Sequence, residues 1–146
     1  MASLTTDAAA DLVAATLTEA GLGDLVFTRA RWPKYSLKDL KFTKAHCVPV
    51  WPAQMDPHDD ASTAIETPIA VTIDAQCEKG RDDQVAELTE LLEAIAGFLA
   101  ATNVPGLGYP IQPLQIDRNE EYLDQGHFCG GVGVVYRRYR EAEETA

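Results

Sequence analysis

The sequence predicts an α+β fold: an antiparallel or mixed sheet of about four to five strands, with one long amphipathic helix and an N-terminal helix packed on one face. Three observations carry this expectation. Apolar and polar residues alternate strictly through residues 65–78. A helical repeat of Val85, Leu88, Leu91, Leu92, Ile95, Phe98 and Leu99 follows, with Glu87, Glu90 and Glu93 on its wetter side. Strand-like segments are grouped before and after that helix instead of alternating with helices. With 146 residues, 46% apolar and 24% charged, the chain reads as one ordered domain over 1–146 with one substantial core.

Taken in order, residues 5–20 predict a helix, because Ala9, Leu12, Val13, Thr16, Leu17 and Ala20 recur at helical spacing. Thr5 or Thr6 can cap its start, and Gly21 suits the left-handed position past its end. Residues 25–32 predict a strand stopped by Pro33. Residues 33–41 read as an irregular connection anchoring Tyr35, Leu37 and Leu40. A second strand spans 43–51, where Pro49 calls for an edge or a strand end. Residues 52–64 form the most polar stretch of the middle and read as a long functional loop.

In the alternating strand, Ile69, Val71, Ile73 and Ala75 share one face, and Thr72, Asp74 and Gln76 the other. Gly80 closes it, and Asp82 or Asp83 can accept hydrogen bonds from the first amides of the long helix. Three prolines and two glycines make 103–113 a connection. Residues 112–118 then predict a short strand, 119–123 a helical turn, and 127–139 a final strand. Residues 140–146 read as an acidic tail expected to fray. Gly130, Gly131 and Gly133 inside the final strand indicate a bulge or a closely approaching neighbour, a helix of the same domain before a second subunit.

Twelve basic against 23 acidic residues give a net charge of −11. Such a surface repels phosphate backbones and argues against a sequence-reading nucleic-acid binder. No apolar run reaches the ~18 residues that span a bilayer, and no basic-then-apolar leader is expected. Three scattered cysteines, Cys47, Cys77 and Cys129, are an odd count that fits reduced thiols in a cytoplasm, not a disulfide framework.

Cys47, Cys77, His127 and Cys129 could supply soft and imidazole ligands to zinc or a thiol nucleophile, which keeps open a small intracellular Cys/His metal-dependent or thiol enzyme. Alternation places His127 and Cys129 on one strand face but sends His46 and Cys47 to opposite faces. No pair has the C-x₂-C or H-x₃-H spacing of a zinc site, and packing cysteines explain the same residues. Asp56 and His58-Asp59-Asp60 could hold a hard cation or stay solvated. No phosphate-binding glycine motif occurs. Arg29 and Arg31, and Arg138 and Arg140, recur at strand spacing, fitting internal ion pairs as well as an acidic partner. Trp32, Tyr35 and Trp51 flank irregular segments, where aromatics close core ends or anchor interfaces.

The ordered set is more informative than its members. Residues 26–32 with Pro33 and Tyr35 lead to Leu37-Lys38-Asp39-Leu40 and a β-segment ending Val48-Pro49-Val50. A polar loop, Ile69 to Gln76, the Leu88/Leu91/Leu92/Ile95 helix, and Phe128 through Tyr136 follow. Over residues 25–139 this order resembles the small neck proteins of long-tailed bacteriophages, the tail-terminator and head-to-tail joining group. The resemblance implies a structural virion subunit, not an enzyme, that closes into a ring of six copies at the head-proximal end of the tail. Its partners would be itself, the tail tube protein and the head connector or stopper. DNA would pass through the lumen without specific binding, and assembly would take place in the bacterial host cytoplasm with no cofactor, metal or membrane. Trp32, Tyr35, Trp51, Asp56, His58, Asp59 and Asp60 are the candidate partner interface.

Overall fold

The computed structural model describes residues 5–30, 40, 42–51, 54–57, 62–78 and 80–141, with side chains omitted for 54–57, 62–64 and 138–141. In chain order the elements are α1 (Thr6–Ala20), β1 (Phe27–Arg29), β2 (Lys44–Pro49), β3 (Gln54–Pro57), β4 (Ser62–Gln76), α2 (Asp82–Ala101), β5 (Gln115–Arg118), α3 (Glu120–Leu123) and β6 (His127–Glu141). The sheet is mixed, in the order β1-β2-β4-β6-β5, with β3 as a sixth strand beside β4. Its spine is the antiparallel β4–β6 pair, in register without a bulge from Ser62↔Glu141 to Gln76↔His127. Fifteen residues at about 3.3 Å each make this ladder roughly 50 Å long.

Alternation along the spine sorts the sheet into two faces. One carries Phe27, Ala45, Cys47, Ile69, Val71, Ile73, Phe128, Val132, Val134 and Tyr136, all buried. Register places these in common rows, such as Phe27↔Ala45↔Ile73↔Gly130 and Cys47↔Val71↔Val132. Both long helices cover this face: α1 lies over β1, β2 and β4, and α2 over β6 and β5. Ala9, Ala10, Val13, Ala14 and Leu17 of α1, and Leu92, Ile95, Ala96 and Leu99 of α2, close the core. Each fully buried Leu, Ile or Phe contributes about 1.5–3 kcal/mol of transfer free energy, so the shared core outweighs any single polar contact.

Local chemistry sets the element ends. Thr5 Oγ1 accepts from the Ala8 amide at 3.1 Å, and Gly21 takes φ 73° while its amide reaches Thr18 O, closing α1 where residue choice indicated. The buried stripe of α1 is rotated from the expected one: Leu12 and Thr16 sit at its rim and Ala20 is exposed. An alanine-rich helix offers little contrast between its faces, and the sheet selects the narrow side for close approach. Thr18 Oγ1 accepts from the Phe27 amide at 2.8 Å and lies 3.3 Å from Phe27 O, fastening the short edge strand β1 to α1. Arg29 pairs with Asp7 and Asp11 of α1 at 3.6 and 3.3 Å, so its charge is matched internally.

Several expectations need correction. The polar stretch 52–64 is not simply a loop: β3 pairs with β4 from Gln54↔Glu66 to Pro57↔Thr63. Poor strand formers are held there by a ladder partner, as tertiary pairing overrides propensity. Strand β6 runs through Glu141 because β4 supplies partners that far, so 140–141 are ladder rather than tail. Strand β2 lies inside the sheet and ends at Pro49, so of the edge or strand end that this proline called for it is the strand end that holds. Helix α2 is preceded by Arg81, with no side-chain cap; Arg81 instead pairs with Asp83 at 3.0 Å. Among the described residues, no helix is long and apolar enough to cross a membrane.

The strand glycines separate by face. A Cβ on Gly130 would lie 2.5 Å from Leu92 Cδ1 and 3.2 Å from Asp117 O, so helix α2 is the close neighbour there. Gly133 is exposed and would meet nothing nearer than 3.7 Å. Gly130→Ala is therefore expected to cost about 1–3 kcal/mol in urea unfolding, by overpacking, while Gly133→Ala is tolerated. The Tyr136 hydroxyl is buried with no hydrogen-bond partner among the described residues. Tyr136→Phe should accordingly raise stability by about 1 kcal/mol, and a lower unfolding midpoint would contradict this assignment.

Candidate functional site

The second sheet face is the one opposite α1 and α2, and its most organised polar group lies at the end where β4 leads towards α2. Asp74 stands directly across from Cys129, and Gln76 across from His127, so Asp74, His127 and Cys129 share this face on adjacent strands. His127 Nε2 lies 2.9 Å from Asp74 Oδ1, with side-chain exposures of only 15% and 8%. Because a carboxylate only accepts, the imidazole N–H is the donor. Tyr122 of α3 stacks on the His127 ring at 5.0 Å between centroids and 8° between planes, fixing the ring's orientation. Asn119 caps α3 by accepting from the Tyr122 amide at 3.2 Å, which places the tyrosine.

Asp74 is the hub of this group, bonded to His127 and directly across from Cys129. One nitrogen, one sulfur and one carboxylate oxygen lie within 4.8 Å of one another. Burial, and then the Asp74 carboxylate, push the Cys129 thiol up to about 12. Burial pushes Cys47 up to about 12 and also raises Cys77. Thiolate nucleophiles need the opposite environment, electropositive and partly exposed, so none of the three is prepared for attack.

Of the sequence candidates for metal or thiol chemistry, the fold keeps His127 and Cys129 together and separates the rest. Cys47 points into the helix-covered core opposite Val71, and Cys77 is buried just past the end of β4. Asp74 was legible as an outward-facing strand residue but not as a partner of His127, because 53 residues separate them. Tyr122 carried no sequence signal beyond its position in the predicted helical turn.

The partner-interface candidates divide differently. Trp51 is 60% exposed just past β2, so it does not close the core. Asp56 lies in β3, across from Ala64. Trp32, Tyr35, His58, Asp59 and Asp60 lie outside the described residues. The fold adds residues that sequence reasoning missed. Tyr109 is 61% exposed, and Ile111 is exposed beside it. The Val50 amide donates to Pro68 O at 3.0 Å and the Ile111 amide to Val135 O at 2.7 Å, while Pro68 pairs with Val135. Val50, Pro68, Val135 and Ile111 therefore form one row across the sheet. Exposed Val50 and Trp51 stand on one flank, exposed Tyr109 and Ile111 on the other, about 14 Å apart at ~4.8 Å per strand step.

A scan against protein-family models finds no match for this chain, and a search of curated proteins finds none either.

His46 lies on the same sheet face as Thr72 and Asp74, with Nδ1 3.1 Å from Thr28 Oγ1. Burial lowers its pKa from the ordinary 6.5, outweighing the hydrogen bond to Thr28 and the attraction of Asp74. The unfolded chain thus takes up this proton first as pH falls, so the His46 contribution to stability is complete above pH 6.5 and declines below it. His46→Gln should flatten the stability profile between about pH 5 and 7, read by urea midpoints across pH; an unchanged profile would contradict the assignment.

Proposed function

We propose that this chain is a ring-forming structural subunit, a neck component of a long-tailed phage that ends tube growth and joins tail to head. The observation that carries the reading is the row with two different apolar patches on opposite flanks of the spine, Val50/Trp51 and Tyr109/Ile111. A head-to-tail interface requires this asymmetry: each copy offers one patch and receives the other, and a fixed rotation closes the chain of contacts into a ring. Exposed aromatics are the residue types that dominate such contacts once desolvated.

The order of elements between 25 and 139 supports the neck assignment, and so does the charge of −11, which suits a channel that DNA must slide past. Beyond Pro68 the sheet narrows to β3, β4 and β6 among the described residues, giving the subunit two unlike ends. A terminator needs unlike ends: one matches the last tube ring, the other the connector, and further tube subunits find no matching surface. This function calls for no reaction, cofactor or metal.

Native mass measurement of the purified chain, alone and with tail tube protein, tests the reading. A closed ring of six copies is the expected result. Trp51→Ser and Tyr109→Ser should each dissociate it, with the far-ultraviolet circular dichroism unchanged. A monomer under both conditions, or a ring that survives both substitutions, would overturn the proposal.

A further inference from the structure

We propose that Asp74, His127 and Cys129 form a binding site for a borderline divalent cation, zinc by preference, on the sheet face opposite α1 and α2. The donor set selects the ion class. Imidazole nitrogen and thiolate sulfur suit zinc, whereas calcium and magnesium need more oxygen ligands than the single carboxylate offers.

The scaffold suits such an ion because all three donors come from one rigid ladder. His127 and Cys129 are alternate residues of β6, and Asp74 is the cross-strand neighbour of Cys129. Zinc bonds of about 2.0–2.3 Å at tetrahedral angles place donor atoms roughly 3.3–3.8 Å apart. The three donor atoms already lie within 4.8 Å of one another, and the His127–Asp74 pair at 2.9 Å must open by only a few tenths of an ångström. Tyr122, stacked on the imidazole, holds the ring plane that the metal bond requires.

A second observation lies on the same face, one cross-strand pair away along that face. Thr72 precedes Asp74 by two residues on the same face, opposite Gly131, and its Oγ1 is buried without a hydrogen-bond partner among the described residues. A tetrahedral ion on three protein donors keeps a fourth position, and a water there would give this hydroxyl a partner. On binding, the Cys129 thiol releases its proton to solvent and the His127 proton moves from Nε2 to Nδ1, leaving Nε2 free to ligate. The charges then balance, with carboxylate and thiolate against a dication. The three-donor set and its open position stand whether or not the subunit closes into a ring.

Cobalt(II) titration of the full-length, reduced chain tests the site, with zinc competition and zinc-dependent unfolding temperature as second readouts. One equivalent of cobalt should bind with a thiolate-to-metal charge-transfer band and the intense visible bands of a four-coordinate ion. Zinc should displace it and raise the unfolding temperature. Cys129→Ser should abolish the charge-transfer band, His127→Gln and Asp74→Asn should each weaken binding by about tenfold or more, and Cys77→Ser should retain it. Wild-type protein that binds no stoichiometric cobalt would overturn the proposal, whatever the folding of the variants. A charge-transfer band that persists in Cys129→Ser would overturn it equally.

Discussion

The β4–β6 ladder is the constraint on which the rest of the molecule depends. Its period of two assigns every residue of both strands to a face, so a slip of β6 by one residue against β4 would carry Val132 into solvent and Cys129 into the core. Burial forbids that slip. Ile69, Val71, Ile73, Phe128, Val132 and Val134 are all sealed beneath α1 and α2, and exposing them would cost far more than any rearranged polar contact returns. The hydrophobic demand of one face thereby fixes the geometry of the other. Asp74, His127 and Cys129 meet because the residues between them are buried, not because they attract each other.

The same ladder makes the subunit asymmetric. Strands β1 and β2 extend the sheet from β4, while β5 extends it from β6, and each outer strand is short. Short edge strands discourage open-ended strand pairing. The proposed head-to-tail association would therefore use side chains, and the exposed apolar residues at the two flanks of the Val50–Ile111 row are of the type that interfaces use. Both long helices occupy one face, and the other carries the polar side chains of Thr72, Asp74, His127 and Cys129. The helix-covered face supplies stability, the flanks expose apolar side chains, and the second face holds the Asp74–His127–Cys129 group.

Much of this was legible in the chain. The repeat of Leu88, Leu92, Ile95 and Leu99 located α2, Thr5 and Gly21 bounded α1, and alternation through residues 69–76 gave both the central strand and its inner face. Strand alternation also put His127 and Cys129 side by side. Pairing was not legible, because register is decided between segments and not within them. Strand β3 was hidden for that reason: Gln54–Pro57 has weak strand propensity, and its extended form is held by β4. Asp74 joined the polar cluster, and Tyr109 and Ile111 became a flank opposite Trp51, only once β6 lay beside β4. The exposure of Trp51 was beyond sequence reasoning, since an aromatic next to proline serves equally well as a core plug or an anchor.

The central claim is that copies of this chain meet head to tail, with the Trp51 flank of one against the Tyr109 flank of the next. The most direct measurement places a photoreactive benzophenone side chain at residue 51, in a mixture of isotopically light and heavy protein, and maps the cross-linked peptides. The account expects links between unlike-labelled copies joining residue 51 to the segment containing Tyr109 and Ile111. Links joining residue 51 to itself across a two-fold axis, or no link between copies, would contradict it.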